Sequence, residues 1–201
     1  MARYRKTAIA ALAASALLLT PTAAYADHNH RGVSGSSDDQ GMSWGYFSGE
    51  VTDYTTNPPA TTTPPVPNPD LFKGARASAI MIGMDGRSFF RLRVSGVDAD
   101  SGKYGVHLHE GTCDASDSGK AGPHYNVTWT DLELPGSEIN DTTEVWLDLS
   151  VNSDGAARST ATVSFIPKGE RSIVLHALPT AGNGTAGARL ACLPFKIKKT
   201  S

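Results

Sequence analysis

From residue 74 onward, apolar and polar residues alternate in short runs, the period of a pleated strand with one face turned to a core. Runs at 77–84 and 88–94 flank Asp85-Gly86, a two-residue turn signal, and predict a hairpin. Further strand-like runs fall at 104–109, 127–134, 144–151, 157–165, 172–177 and 189–197. Asn152-Ser153-Asp154-Gly155 marks another turn. No stretch sustains a helical period. Seven to eight short strands at this spacing predict an all-β fold, an antiparallel sandwich or barrel, spanning residues 74–199.

Upstream the pattern weakens. Met42, Trp44 and Tyr46 alternate with small residues, but Phe47 breaks the alternation. Residues 42–73 therefore read either as an isolated first strand followed by a Pro/Thr-rich extended segment (55–70), or as a linker. Residues 27–41 are polar and Gly/Ser-rich, the composition of a disordered tail. The first 26 residues read as a signal peptide: Arg3, Arg5 and Lys6, an apolar run, then Ala24-Tyr25-Ala26 at the cut. That run is too short to span a bilayer and no longer one follows, so no membrane span is expected. The expected location is secreted or in the cell envelope.

Composition narrows the partners. The leader carries three of 18 basic residues and no acidic one, so the chain from Asp27 has a formal net charge of −5. Such a balance excludes nucleic-acid binding driven by phosphate contacts. Two cysteines in an exported chain suggest one disulfide. Oligomeric state is not legible.

The histidines carry the chemistry. His28 and His30 lie in the polar tail; the other four are His107, His109, His124 and His176. His107 and His109 alternate along a predicted strand, so both rings face one side while Val106 and Leu108 face the core. A His-x-His pair alone is a weak metal signal, because strand histidines are commonly ordinary polar groups.

Four segments, in order, resemble the copper–zinc superoxide dismutases. Gly105-Val106-His107-Leu108-His109-Glu110 resembles the family's first copper-ligand strand. Cys113 with Ala121-Gly122-Pro123-His124-Tyr125-Asn126 resembles the following loop and its metal-bridging histidine. Ser172-Ile173-Val174-Leu175-His176 resembles the strand of the last copper ligand, and Gly187-Ala188-Arg189-Leu190-Ala191-Cys192 the closing segment. The resemblance implies a Greek-key sandwich or barrel with long loops. It implies copper held by His107, His109, His124 and His176, a Cys113–Cys192 disulfide, and superoxide as substrate. His124 and Arg189 would be the catalytic residues, one handling protons and the other attracting the anion. Four imidazoles and no sulfur suit Cu(II), though imidazole also suits zinc.

The pattern also departs from the family. No histidine lies between His124 and His176, where the family's zinc ligands are expected. Asp148 matches the zinc aspartate as a vestigial candidate, but paired only with His124 it would make a poor site. The stretch between His176 and Arg189 is only 12 residues. Both features resemble a copper-only branch, so zinc is expected to be absent. The outer nitrogen of His124 then needs another partner, expected among Asp131, Glu133, Asp141, Glu144 and Asp148. Other readings are a non-catalytic copper-binding protein on the same fold and an adhesion domain. Sequons at Asn126, Asn140 and Asn183 read as chance matches, and copper capture by His28 and His30 has only their proximity behind it.

Overall fold

The computed structural model describes residues 41–54, 68–98, 102–128 and 138–200. The signal peptide, most of the polar tail with His28 and His30, residues 55–67 of the Pro/Thr-rich segment, and Asp131 and Glu133 lie outside the described residues.

The fold is all-β: a curled antiparallel sheet forming a half-barrel, consistent with a Greek-key barrel. In chain order its strands are β1 (Ser43–Glu50), β2 (Thr52–Asp53), β3 (Arg76–Met84), β4 (Arg87–Ser95), β5 (Gly102–Tyr104), β6 (Val106–His109), β7 (Leu149–Val151), β8 (Ala157–Val163), β9 (Gly169–His176) and β10 (Arg189–Lys199). The main sheet runs β6-β9-β10-β1-β3-β4-β8, with β2 alongside β10; β5 and β7 form a second, two-stranded sheet.

The alternation read from the sequence is the alternation of burial. On β4, Ser88, Phe90, Leu92 and Val94 point in while Phe89, Arg91 and Arg93 point out. The Asp85-Gly86 turn has positive φ at both positions (52° and 72°) and joins β3 to β4 with their ends paired, Met84 opposite Arg87. That is the backbone a right-twisted two-residue hairpin requires. Residues 43–50 form a strand between β3 and β10, so the sheet begins before the Pro/Thr-rich segment. Phe72, Met81, Phe90, Leu108, Leu149, Ile173 and Phe195 fill the core.

Two expected strands are corrected. The 104–109 run splits into β5 and β6 at Gly105, whose amide bonds to Leu178 O and whose added Cβ would collide with the Ala186 methyl. The 144–151 run is a strand only over Leu149–Val151; Glu144 and Trp146 make single bridges instead. Of the expected 127–134 strand, Val127 and Thr128 lie in a turn and the rest is outside the described residues.

The edge strand β6 carries the chemistry. One edge pairs with β9 in register, His107 opposite Val174 and His109 opposite Ser172. Its other edge is laddered by two loop segments. Leu108 N donates to Val145 O and Leu147 N to Val106 O; farther along, Tyr125 N donates to Leu108 O and Glu110 N to Pro123 O. All four β6 residues are buried as a result, and the loops bearing His124 and Glu144 meet beside it.

Candidate metal centre

Strand period places His107 and His109 on the same side of β6, and β9 pairing brings up His176 from its C-terminal end. His124 comes from the loop that bridges to His109. One ring nitrogen from each of His107, His109, His124 and His176 lies within 4.8 Å of the other three. The sequence-predicted ligands are thus brought together.

Each ring is fixed by a bond on its outer side. His109 Nδ1 donates to Gly122 O (3.0 Å) and His176 Nδ1 to Gly187 O (3.1 Å). His124 Nδ1 donates to the Glu144 carboxylate at 2.9 Å. His107 Nε2 contacts Thr180 Oγ1 at 2.8 Å, and that hydroxyl gives its own proton to Asp148 at 2.7 Å, so the ring must be the donor. Every outer partner is an acceptor, which leaves a bare lone pair on each inner nitrogen: Nδ1 of His107 and Nε2 of the other three. These lone pairs face one another, His107 to His124 at 3.0 Å and His109 to His176 at 3.3 Å.

Protons on His107, His109 and His176 do not resolve that repulsion at neutral pH. Burial first, then the neighbouring rings, holds His107 far below the ordinary histidine range. His109 is lowered to about 2 and His176 to about 4, again mainly by burial; the bonds to Gly122 and Gly187 oppose the shift. Four converging imidazoles with no thiolate match what a borderline divalent cation requires. The donor set fits a bound metal ion.

Glu144 is the carboxylate that meets His124, and it is 1% exposed. Burial works to raise it, but bonds from His124, Trp146 Nε1 (2.8 Å) and Asn126 Nδ2 (3.3 Å) outweigh burial and keep it below the usual range. Asp148 serves a different ring: it accepts from Thr180 and from Val106 N (3.2 Å), behind His107. Asp141 makes no bond to the site among the described residues. Sequence reasoning missed Thr180, Trp146, Asn126 and the carbonyls of Gly122 and Gly187, since nothing local marks a residue as an outer partner.

Arg189 sits opposite His176 in the β9–β10 ladder. Its guanidinium donates to Ser118 O (2.7 Å) and Gly122 O (2.6 Å). Together with His124, Glu144 and His176 it lines a pocket of about 450 Å³. Cys113 and Cys192 form a disulfide that ties the His124 loop to β10, with Tyr54, Ala121 and Val174 packed around it.

The model of one family, copper/zinc superoxide dismutase (SODC), matches residues 83–193. Among solved structures, the crystal structure of the clock protein EA4 aligns at 17% identity and a TM-score of 0.47. That alignment covers 81% of this chain and 97% of that one. No curated protein matches the chain.

Proposed function

The chain belongs to the copper/zinc superoxide dismutase family, and on that premise we propose that it is an exported, copper-dependent superoxide dismutase working without zinc. The carrying observation is that four imidazole nitrogens converge within 4.8 Å of one another, and that two of those rings, His124 and His176, line the same pocket as the Arg189 guanidinium. Copper held by His107, His109, His124 and His176 would supply the one-electron chemistry, oxidising one superoxide to O2 and reducing the next to H2O2.

The chain's own residues account for the rest. Arg189 remains cationic and has N–H groups beyond the two used on backbone carbonyls, so it can draw a small anion into the pocket and orient it. His124 is the ring suited to handling protons. Its side chain is 18% exposed, whereas those of His107 and His109 are fully buried. A proton arriving at its Nε2 makes an imidazolium already paired with the Glu144 carboxylate. Glu144 already holds the outer nitrogen of His124, the role a carboxylate is expected to fill where zinc is absent, which supports the zinc-free reading. The disulfide and the leader support export.

Metal analysis after loading with copper and zinc together, paired with a superoxide decay assay, tests the proposal. About one copper per chain, no zinc and fast decay support it, as one four-imidazole site implies. Bound copper with no decay above that of free buffer points to a storage or scavenging protein instead.

A further inference from the structure

The outward face of β1, β3, β4 and β8 takes no part in the metal centre, and its chemistry is divided. At one end Trp44, Tyr46, Ile82, Met84 and Phe89 project outward with exposures of 38%, 58%, 49%, 57% and 39%. They are neighbours by register, Trp44 opposite Ile82 and Ile82 opposite Phe89. Beside them the face is cationic. Arg76, Arg87, Arg91, Arg93 and Arg158 are all exposed, and none has an ion-pair partner among the described residues. Glu50 is the one carboxylate among the outward strand positions here. A chain with a formal net charge of −2 thus concentrates five arginines on one face.

This arrangement works against the isolated fold. Arg93 stands directly opposite Arg158, a like-charge pair that weakens a sheet. Arg76, Arg93 and Arg158 line an open groove of about 810 Å³, shared with the polar side chains of Ser48, Ser78 and Asn152. Lys198 covers only one side of Trp44, 5.2 Å from its ring centre. An external anion relieves the repulsion, and an external apolar phase relieves the exposed aromatics. One partner supplies both.

We propose that this face docks on a lipid bilayer carrying anionic headgroups. The arginines meet lipid phosphates, while Trp44, Phe89, Ile82 and Met84 enter the boundary between headgroups and acyl chains. Trp and Tyr suit that boundary because each joins an apolar ring to a polar tip. Eight residues of β1 and four strand widths make the face roughly 27 by 19 Å, enough to cover several headgroups. A second copy of the chain is a worse occupant, since face-to-face pairing sets arginine against arginine. A soluble polyanion leaves the apolar end in water. The proposal stands apart from the catalytic reading.

The test is sedimentation of the full chain with vesicles of phosphatidylcholine alone and of equal parts phosphatidylcholine and phosphatidylglycerol. Binding is expected to the anionic vesicles only and to weaken with salt. Replacing Arg91, Arg93 and Arg158 with Gln removes like-charge repulsion and leaves folding intact. It should lower partitioning on the order of 100-fold. Met84→Gln, a mild change at an exposed position, should lower it on the order of tenfold. An N-terminal leader retained on the chain acts equally in every preparation, so the wild-type-to-variant difference reads the face. No binding to anionic vesicles overturns the proposal, as does equal binding by the arginine variant. Loss in the arginine variant with Met84→Gln unaffected and a soluble polyphosphate competing also overturns it, in favour of a polymer ligand. Self-association of the wild type without vesicle binding, strengthened in the arginine variant by the loss of like-charge repulsion, overturns it in favour of a dimer.

Discussion

Replacing Glu144 with Gln isolates what its charge does for His124. The carboxylate is buried and accepts three bonds, from His124 Nδ1 at 2.9 Å, Trp146 Nε1 at 2.8 Å and Asn126 Nδ2 at 3.3 Å. Gln is nearly isosteric, and its oxygen can still take the His124 and Trp146 protons. Its amide then faces the Asn126 amide, donor against donor, and Asn126 cannot simply flip because its oxygen is held by Thr128 N (3.0 Å) and Thr128 Oγ1 (2.6 Å). The variant therefore loses one charge-assisted bond, worth about 1.5–3 kcal/mol. Changing an outer partner of a metal-binding histidine typically costs 10–100-fold in metal affinity or activity; because Gln keeps a neutral bond to His124 Nδ1, the lower end is expected, about tenfold or 1.4 kcal/mol. Copper affinity is measured by competition with a chelator of known strength, and superoxide decay at saturating copper, with near-ultraviolet dichroism to confirm native packing. A correctly folded Glu144→Gln protein within twofold of wild type in both readouts would mean that the carboxylate neither anchors the ring nor supports its proton.

Other outcomes follow from the same geometry. Arg189→Ala should retain copper yet lose about tenfold or more of its decay rate and most of its salt dependence; unchanged rates would remove Arg189 from substrate handling. Reducing the Cys113–Cys192 bridge, whose cysteines are 79 residues apart, should destabilise the chain by about 4.5 kcal/mol by loop entropy. Urea unfolding with and without reductant measures it, and a midpoint insensitive to reduction contradicts the estimate. Tyr54 is fully buried, and burial first, with Asp114 and Asp117 adding and Arg189 opposing, pushes its hydroxyl up to about 12. A raised tyrosine stabilises the fold fully below pH 10 and loses that contribution as pH climbs to 12, about 3 kcal/mol in all. Thermal melts across that range should fall for wild type and fall less steeply for Tyr54→Phe, since Tyr104 and Tyr125 are also raised by burial; parallel curves would count against the burial argument.

What the sequence disclosed was what is local. The period of two put His107 and His109 on one face of β6, and Asp85-Gly86 announced its own turn, because both depend on neighbouring residues alone. The choice of Glu144 over four other carboxylates was not legible. It depends on the Asn126–Glu144 bridge, a contact between two loops that leave no periodic trace. The misplaced strand at 104–109 has the same origin: Gly105 breaks the run because Leu178 and Ala186 press on it from the other end of the chain. Asp148 illustrates the limit from the other side. Its position in the sequence matched the zinc aspartate, yet its carboxylate is taken up by Thr180 and the Val106 amide.

The peptide oxygen of Gly122 receives both the His109 ring proton and the Arg189 guanidinium. Because a main-chain atom is the shared anchor, no side-chain replacement at residue 122 can uncouple the two. Any drift of that oxygen tilts a metal-facing ring and displaces the anion-attracting cation in one movement. Descendants of this sequence can therefore relocate the pair only by rerouting the loop itself.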